Sequence, residues 1–211
     1  MNILIFVLDI VGTLSFAISG AMTGMKKNMD IFGVCMLGVT TAVGGGILRD
    51  LLLGLTPPAT LVNPRNVFLA IGISMILFFP FVRRFLFAHQ NVYDRLMLWA
   101  DSAGLGLFTV YGIRVAALAG YESNAFLLIF VGVITGVGGG VIRDLFAGDR
   151  PYIFVKHIYA CAAIAGAILC VLLRPALGLD IAMVAGLAVI VIIRLCSAKF
   201  RWSLPRAQQT E

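Results

Sequence analysis

Apolar positions along this chain follow neither the alternation of a half-buried strand nor the one-sided stripe of a surface helix. They fill whole segments, and polar residues gather in the short gaps between. Seven segments are long enough to cross a membrane as helices: Asn2 to Met25, Ile31 to Leu55, Asn66 to Phe87, Tyr93 to Ala119, Asn124 to Phe146, Tyr152 to Leu173 and Ile181 to Ala198. About 30 Å of hydrocarbon takes about 20 residues of helix, which satisfies its own backbone amides where water is absent. The gaps carry turn chemistry: Lys26-Lys27-Asn28, Pro57-Pro58, Asn63-Pro64, Gly120, Pro151 and Arg174-Pro175. The pattern predicts an all-α polytopic membrane protein, one transmembrane domain over residues 1–211 with a polar tail from about residue 199.

Two of these segments share a string. Thr41 to Gly54 reads TAVGGGILRDLLLG and Thr135 to Gly148 reads TGVGGGVIRDLFAG, with nine of fourteen positions identical at an offset of 94. The pattern DxxGxxxFxxxG likewise joins Asp9, Gly12, Phe16 and Gly20 to Asp101, Gly104, Phe108 and Gly112 at an offset of 92. The chain therefore holds repeat one (about 2–87) and repeat two (about 93–173), with a seventh helix (about 181–198) outside them. Each repeat has three helices, an odd number, so the second copy enters the membrane from the opposite side and the 3+3 repeat is inverted. Broken helices at matching places of inverted halves meet at the permeation or binding site in many transport proteins. Three successive glycines each weaken a helix by about 1 kcal/mol relative to alanine. Kinks are therefore expected in helices two and five, at Gly44, Gly45 and Gly46 and at Gly138, Gly139 and Gly140. The competing role for such glycines is close helix packing, which Gly12, Gly20, Gly104 and Gly112 are expected to serve.

Composition agrees with the pattern: 61% hydrophobic and 12% charged residues, with a mean hydropathy of +1.02, exceed what one water-soluble core takes up. The first segment lacks a basic leader region, and its apolar run is too long for a secretory signal, so it is read as helix one. Cys35, Cys161, Cys170 and Cys196 sit in apolar segments without paired spacing, and read as packing residues rather than metal ligands. The net charge of +6 reports topology. With the N-terminus outside, the inner ends hold twelve bases: Lys26, Lys27, Arg83, Arg84, Arg95, Arg143, Arg150, Lys156, Arg194, Lys199, Arg201 and Arg206. The outer ends hold four: Arg49, Arg65, Arg114 and Arg174. The bias predicts a cytoplasmic C-terminus.

Asp9 and Asp101 lie within apolar helices, where a charge costs at least about 2.5–3.5 kcal/mol near the centre and needs a partner. Asp9 is expected beside Arg49 and Asp101 beside Arg143; the pseudo-twofold predicts both pairs or neither. Arg49-Asp50 and Arg143-Asp144 either line the two mouths of a pore or are helix-end pairs whose arginines snorkel to the headgroups. Ser15, Ser19, Thr40, Thr41 and Thr109 either add hydroxyls to that path or mediate helix contacts. No zincin motif, nucleophile elbow or carboxylate pair beside a histidine is present, and GGGxxRD lacks the ending of a phosphate loop. No enzyme activity, cofactor or nucleic-acid partner is expected, and His89 and His157 read as interfacial.

At the doubled GGGxxRD the chain resembles prokaryotic members of the trimeric intracellular cation (TRIC) channel family, over nearly its whole length. The resemblance implies a homotrimer in the lipids of a prokaryotic inner membrane. Each protomer would carry a hydrophilic pore, kinked at the two glycine triplets, that passes monovalent cations, chiefly K⁺ and alternatively Na⁺. Animal members have a lysine-glutamate-valine signature where this chain has Val141-Ile142-Arg143-Asp144, so phosphoinositide-linked gating is not implied. Bacterial relatives have also been associated with glycine transport, which makes a small amino acid carrier the alternative.

Overall fold

The computed structural model describes residues 3–155 and 158–202. Among the described residues the chain is helical, with no strand. The elements are α1 (Ile3–Lys26), α2 (Ile31–Leu52), α3 (Ala59–Val62), α4 (Arg65–Phe78), α5 (Pro80–Ala88), α6 (Gln90–Ala116), α7 (Ala125–Phe146), α8 (Tyr152–Val155), α9 (Tyr159–Leu177) and α10 (Leu179–Phe200), and a π turn over Ala117–Tyr121 prolongs α6. Among the described residues six helices are long and apolar enough to cross a membrane, and the bent pair α4 with α5, taken as one span, makes seven. This is a multi-pass membrane protein. Lys156 and Arg206, which count among the inner bases, and His157, which is expected at the interface, lie outside the described residues.

The ends of α2 and α7 repeat the same chemistry. Asp30 caps α2 by accepting from the Gly33 amide at 2.7 Å, and Asn124 caps α7 by accepting from Leu127 at 3.0 Å. Both helices stop at a glycine in the left-handed region, Gly54 (φ 70°) and Gly148 (φ 71°). The following amides, Leu55 and Asp149, return to the carbonyls of Asp50 and Asp144 at 2.8 Å.

Two expectations are corrected here. The span Asn66 to Phe87 is two helices meeting at 67°. Pro80 has no amide to continue the ladder, and Phe79 before it takes an extended backbone (ψ 135°). Arg174-Pro175 is not a turn: α9 runs on to Leu177 and ends at Gly178 (φ 79°), the missing proline amide falling in the last turn. Through Gly44–Gly46 and Gly138–Gly140, α2 and α7 run on as α-helix without an unwound turn.

What the triplets provide is proximity. A Cβ on Gly45 would overlap the Thr135 carbonyl oxygen, and one on Gly139 would overlap that of Thr41. The two helices thus cross backbone against backbone, in opposite senses. The first helices of the repeats interlock as well. Phe16 fills the space beside Gly104 and Phe108 the space beside Gly12, with the two rings 5.3 Å apart. The seventh crossing, α10, lies on α6 and α9. Its register is set by crossed charges: Arg114 of α6 meets Asp180 at 2.5 Å, and Asp101 of α6 meets Arg194 at 3.2 Å. A parallel α10 would set aspartate on aspartate and arginine on arginine.

Candidate functional site

Two cavities enter the bundle from opposite ends of α1. The larger, about 450 Å³, lies at the C-terminal end of α1 and is walled by residues that include Thr23, Tyr93, Asp101, Tyr152 and Arg194, with Lys26, Lys27, Asp94 and Asp149 also on its wall. The smaller, about 270 Å³, lies at the N-terminal end and includes Asp9, Gly46, Arg49, Arg65, Asn66 and Tyr111. Each holds one carboxylate of the DxxGxxxFxxxG pattern. Between them stand the glycine crossing and the Phe16–Phe108 pair, both rings buried.

The carboxylates are partnered differently. Asp101 accepts from Arg143 at 2.6 Å, as expected, and also from Arg194 at 3.2 Å and the Tyr159 hydroxyl at 3.4 Å. Arg143 donates further to the Ser19 hydroxyl and lies over the Tyr152 ring, 4.8 Å from its centroid. Asp9 does not pair with Arg49: it accepts from Arg65 at 2.5 Å and from Asn66 at 2.9 Å. Arg49 turns to Asp50 and to the face of Tyr111, 5.3 Å from the centroid. One of the two symmetric pairs therefore exists and the other does not. The common feature of the halves is a polar group at the start of the third helix, Asn66 or Tyr159, offered to the aspartate of the first.

The Arg-Asp doublets prove to be clips. In both, the arginine Nε donates to its neighbour's Oδ1 at 2.8 Å. The other carboxylate oxygen accepts the amide that opens the next helical turn, Ala59 for Asp50 at 2.9 Å and Tyr152 for Asp144 at 2.8 Å. Neither arginine snorkels, since Arg49 is 6% and Arg143 0% exposed. The aspartate completes the corner while its arginine is held inward, where a charge-assisted bond gains strength from the low dielectric.

Of the residues expected along the path, Asp9, Gly46 and Arg49 border the small cavity and Asp101 borders the large one. Asp50, Arg143, Asp144, Gly44, Gly45, Gly138, Gly139 and Gly140 border neither, and stand behind the walls. The hydroxyls of Thr40, Thr41 and Thr109 bond to carbonyls of their own helices rather than to a path. Arg194, Arg65, Asn66, Tyr159 and Tyr111 were not anticipated. Arg194 had a signal: it is a charge inside an apolar run, the rule that singled out Asp9.

This architecture defines a multi-pass helical membrane protein built around paired internal vestibules. Comparison with known proteins makes the class specific. The family model described as Glycine transporter matches residues 6–81 and 98–175, two stretches that follow the repeats and leave α10 outside. The UPF0126 inner membrane protein YadS of Escherichia coli (strain K12) is 38% identical over 204 residues, covering 96% of this chain and 95% of that one. A solved TRIC cation channel superposes with a TM-score of 0.86 at 34% identity over 100% of both chains. The TRIC trimeric intracellular cation channel orthologue from Rhodobacter sphaeroides does so with a TM-score of 0.82 at 36% identity, covering 94% of this chain and 98% of that one. The chain belongs to the prokaryotic TRIC channel family.

Proposed function

We propose that the protein is a cation channel in which each protomer of a homotrimer passes monovalent cations, chiefly K⁺, along a path that joins the two vestibules. The observation that carries this reading is the pair of charged vestibules at opposite ends of the bundle, each with a buried aspartate at its wall, with the α2–α7 crossing and the Phe16–Phe108 pair in the stretch between them. A hydrated K⁺ asks only for a wet route with weak cation attraction, which carboxylates partly neutralised by arginine supply. Solved relatives bear the names of cation channels, and one that of a trimeric channel. The described structure is closed at its centre, so flux requires the two glycine-bearing helices and the phenyl pair to part. The base asymmetry puts the large vestibule on the cytoplasmic side and the N-terminus outside.

A closed centre flanked by two vestibules also suits alternating access by a small amino acid carrier, the reading favoured by the description of the family model. Single-channel recording of purified protein in K⁺, Na⁺ and Cl⁻ gradients, with glycine counterflow in parallel liposomes, separates the two. Unitary, cation-selective currents support the channel. Saturable glycine exchange without unitary current replaces it with the carrier.

A further inference from the structure

Asp101 is held by two arginines, and only Arg143 belongs to its own repeat. Arg194 arrives from α10, which stands outside the repeated pattern. It reaches Asp101 Oδ2 at 3.2 Å while its guanidinium lies over the Tyr159 ring, 4.7 Å from the centroid. A carboxylate oxygen and an aromatic face are both general cation-binding groups. Asp101 and Arg194 border the same 450 Å³ vestibule, so the guanidinium occupies ground that a dissolved cation entering from that end would reach. Its attachment there is partial. Arg194 donates to Asp101 and leaves its Nε buried without a partner, whereas Arg143 donates to Asp101, Asp144 and Ser19.

The surrounding charges sharpen the point. Lys26 and Lys27 balance Asp94 and Asp149 on the vestibule wall. Deeper in, Asp101 and Asp144 balance Arg143 and Arg194, two against two, so removing Arg194 leaves one negative charge. Repeat one has no such visitor: Asp9 is satisfied by Arg65 and Asn66, both from α4.

We propose that Arg194 is a tethered cation. Its guanidinium fills a monovalent-cation site formed by the Asp101 carboxylate and the Tyr159 ring, and a dissolved cation takes that site when the arginine withdraws. The proposal rests on the reading of the vestibules as a cation path, and it adds a binding site and the residue that competes for it. Arg194→Ala opens the site while Arg143 and Tyr159 continue to satisfy Asp101, so the fold keeps its buried carboxylate partnered.

The test compares wild type and Arg194→Ala in planar bilayers at 10 mM and 1 M KCl. The variant is expected to conduct several-fold more at 10 mM and to converge with wild type at 1 M, because the field of one added charge reaches about 30 Å at the low salt and about 3 Å at the high. Millimolar guanidinium chloride on the side of the large vestibule is expected to return the variant to wild-type conductance and to leave wild type unchanged. Asp101→Asn in the Arg194→Ala background should abolish the gain. Thermal melts report binding without flux: replacing choline by K⁺ should raise the Tm of the variant but not of wild type. Measurable and equal conductance of variant and wild type at 10 mM, or a K⁺ response in Tm that is the same for both, overturns the proposal. If neither protein conducts but K⁺ raises the Tm of the variant alone, the channel reading falls and the site stands.

Discussion

Gly45→Ala asks whether the glycine triplets serve bending or contact. The methyl would lie against the Thr135 carbonyl oxygen, and the Gly139 amide nitrogen is 3.2 Å away. All of these are backbone atoms of a helix, so no rotamer change relieves the overlap and α2 must move off α7. Overpacking of this kind costs about 1–3 kcal/mol, against about 1 kcal/mol gained from the better helix propensity of alanine. The net expectation is a loss of up to about 2 kcal/mol. Gly46→Ala supplies the control on the same helix, one residue on. Its methyl would find only an Arg49 guanidinium nitrogen at 3.7 Å, an ordinary contact, so the propensity gain stands alone and stability should hold or rise. Gly139→Ala should match Gly45→Ala. The double variant should lose less than the sum, because one separation of the helices accommodates both methyls. Fluorescence-detected size exclusion after heating gives the order of Tm values. A Gly45→Ala protein as stable as Gly46→Ala, with flux lowered equally in both, would refute the contact argument and restore bending as the role of the triplet.

The ion pairs make separable expectations. Asp9→Asn and Arg65→Gln should be coupled by about 0.5–1 kcal/mol, at the modest end because Arg65 is partly exposed, while Asp9→Asn and Arg49→Gln should be additive within about 0.5 kcal/mol in denaturation of the purified protein. Asp101→Asn should cost more, about 3–5 kcal/mol, since it strands Arg194 and takes a partner from buried Arg143; adding Arg143→Gln should recover part of that Tm. Arg114→Asp or Asp180→Arg alone should loosen the end of α10, and the two together should restore the wild-type melt. Single cysteines at Asn28 and at Gln90 or Asn91, where α6 begins, should resist labelling from outside, and those at Thr60 and Ser123 should label; the reverse pattern turns the orientation over.

The span count was legible because the bilayer imposes one length on every crossing, and the repeat was legible because identical residues recur at fixed offsets. The bend at Phe79-Pro80 was legible in principle: the proline lies inside the third span and was passed over because the hydropathy on either side is continuous. The glycine triplet was ambiguous in itself, since weak propensity and the absence of a side chain are one property with two uses. Which use applies depends on whether another backbone lies alongside, and here α7 does. The expected pairing of Asp9 failed because sequence symmetry fixes which residues are equivalent and not which of several nearby cations is taken. Arg65 opens α4 within reach of Asp9, whereas the equivalent region of repeat two offers Tyr159, leaving Asp101 to Arg143 and Arg194.

The interlock of Phe16 with Gly104 and Phe108 with Gly12 puts a knob and a notch four residues apart on each of two helices that pass in opposite senses. A single repeat would therefore be self-complementary, able to close an isologous contact with a second copy of itself lying upside down in the bilayer. Its own charges oppose that inversion, because Lys26, Lys27, Arg83 and Arg84 all cluster at one end of repeat one and hold it in one orientation. Joining two copies in one chain removes the conflict: covalent order presents the second knob and notch already inverted, and each copy is free to carry the bases that suit its own orientation. Once the copies are joined, the two faces no longer have to be the same surface, and a residue such as Arg194 can serve one vestibule without a counterpart in the other.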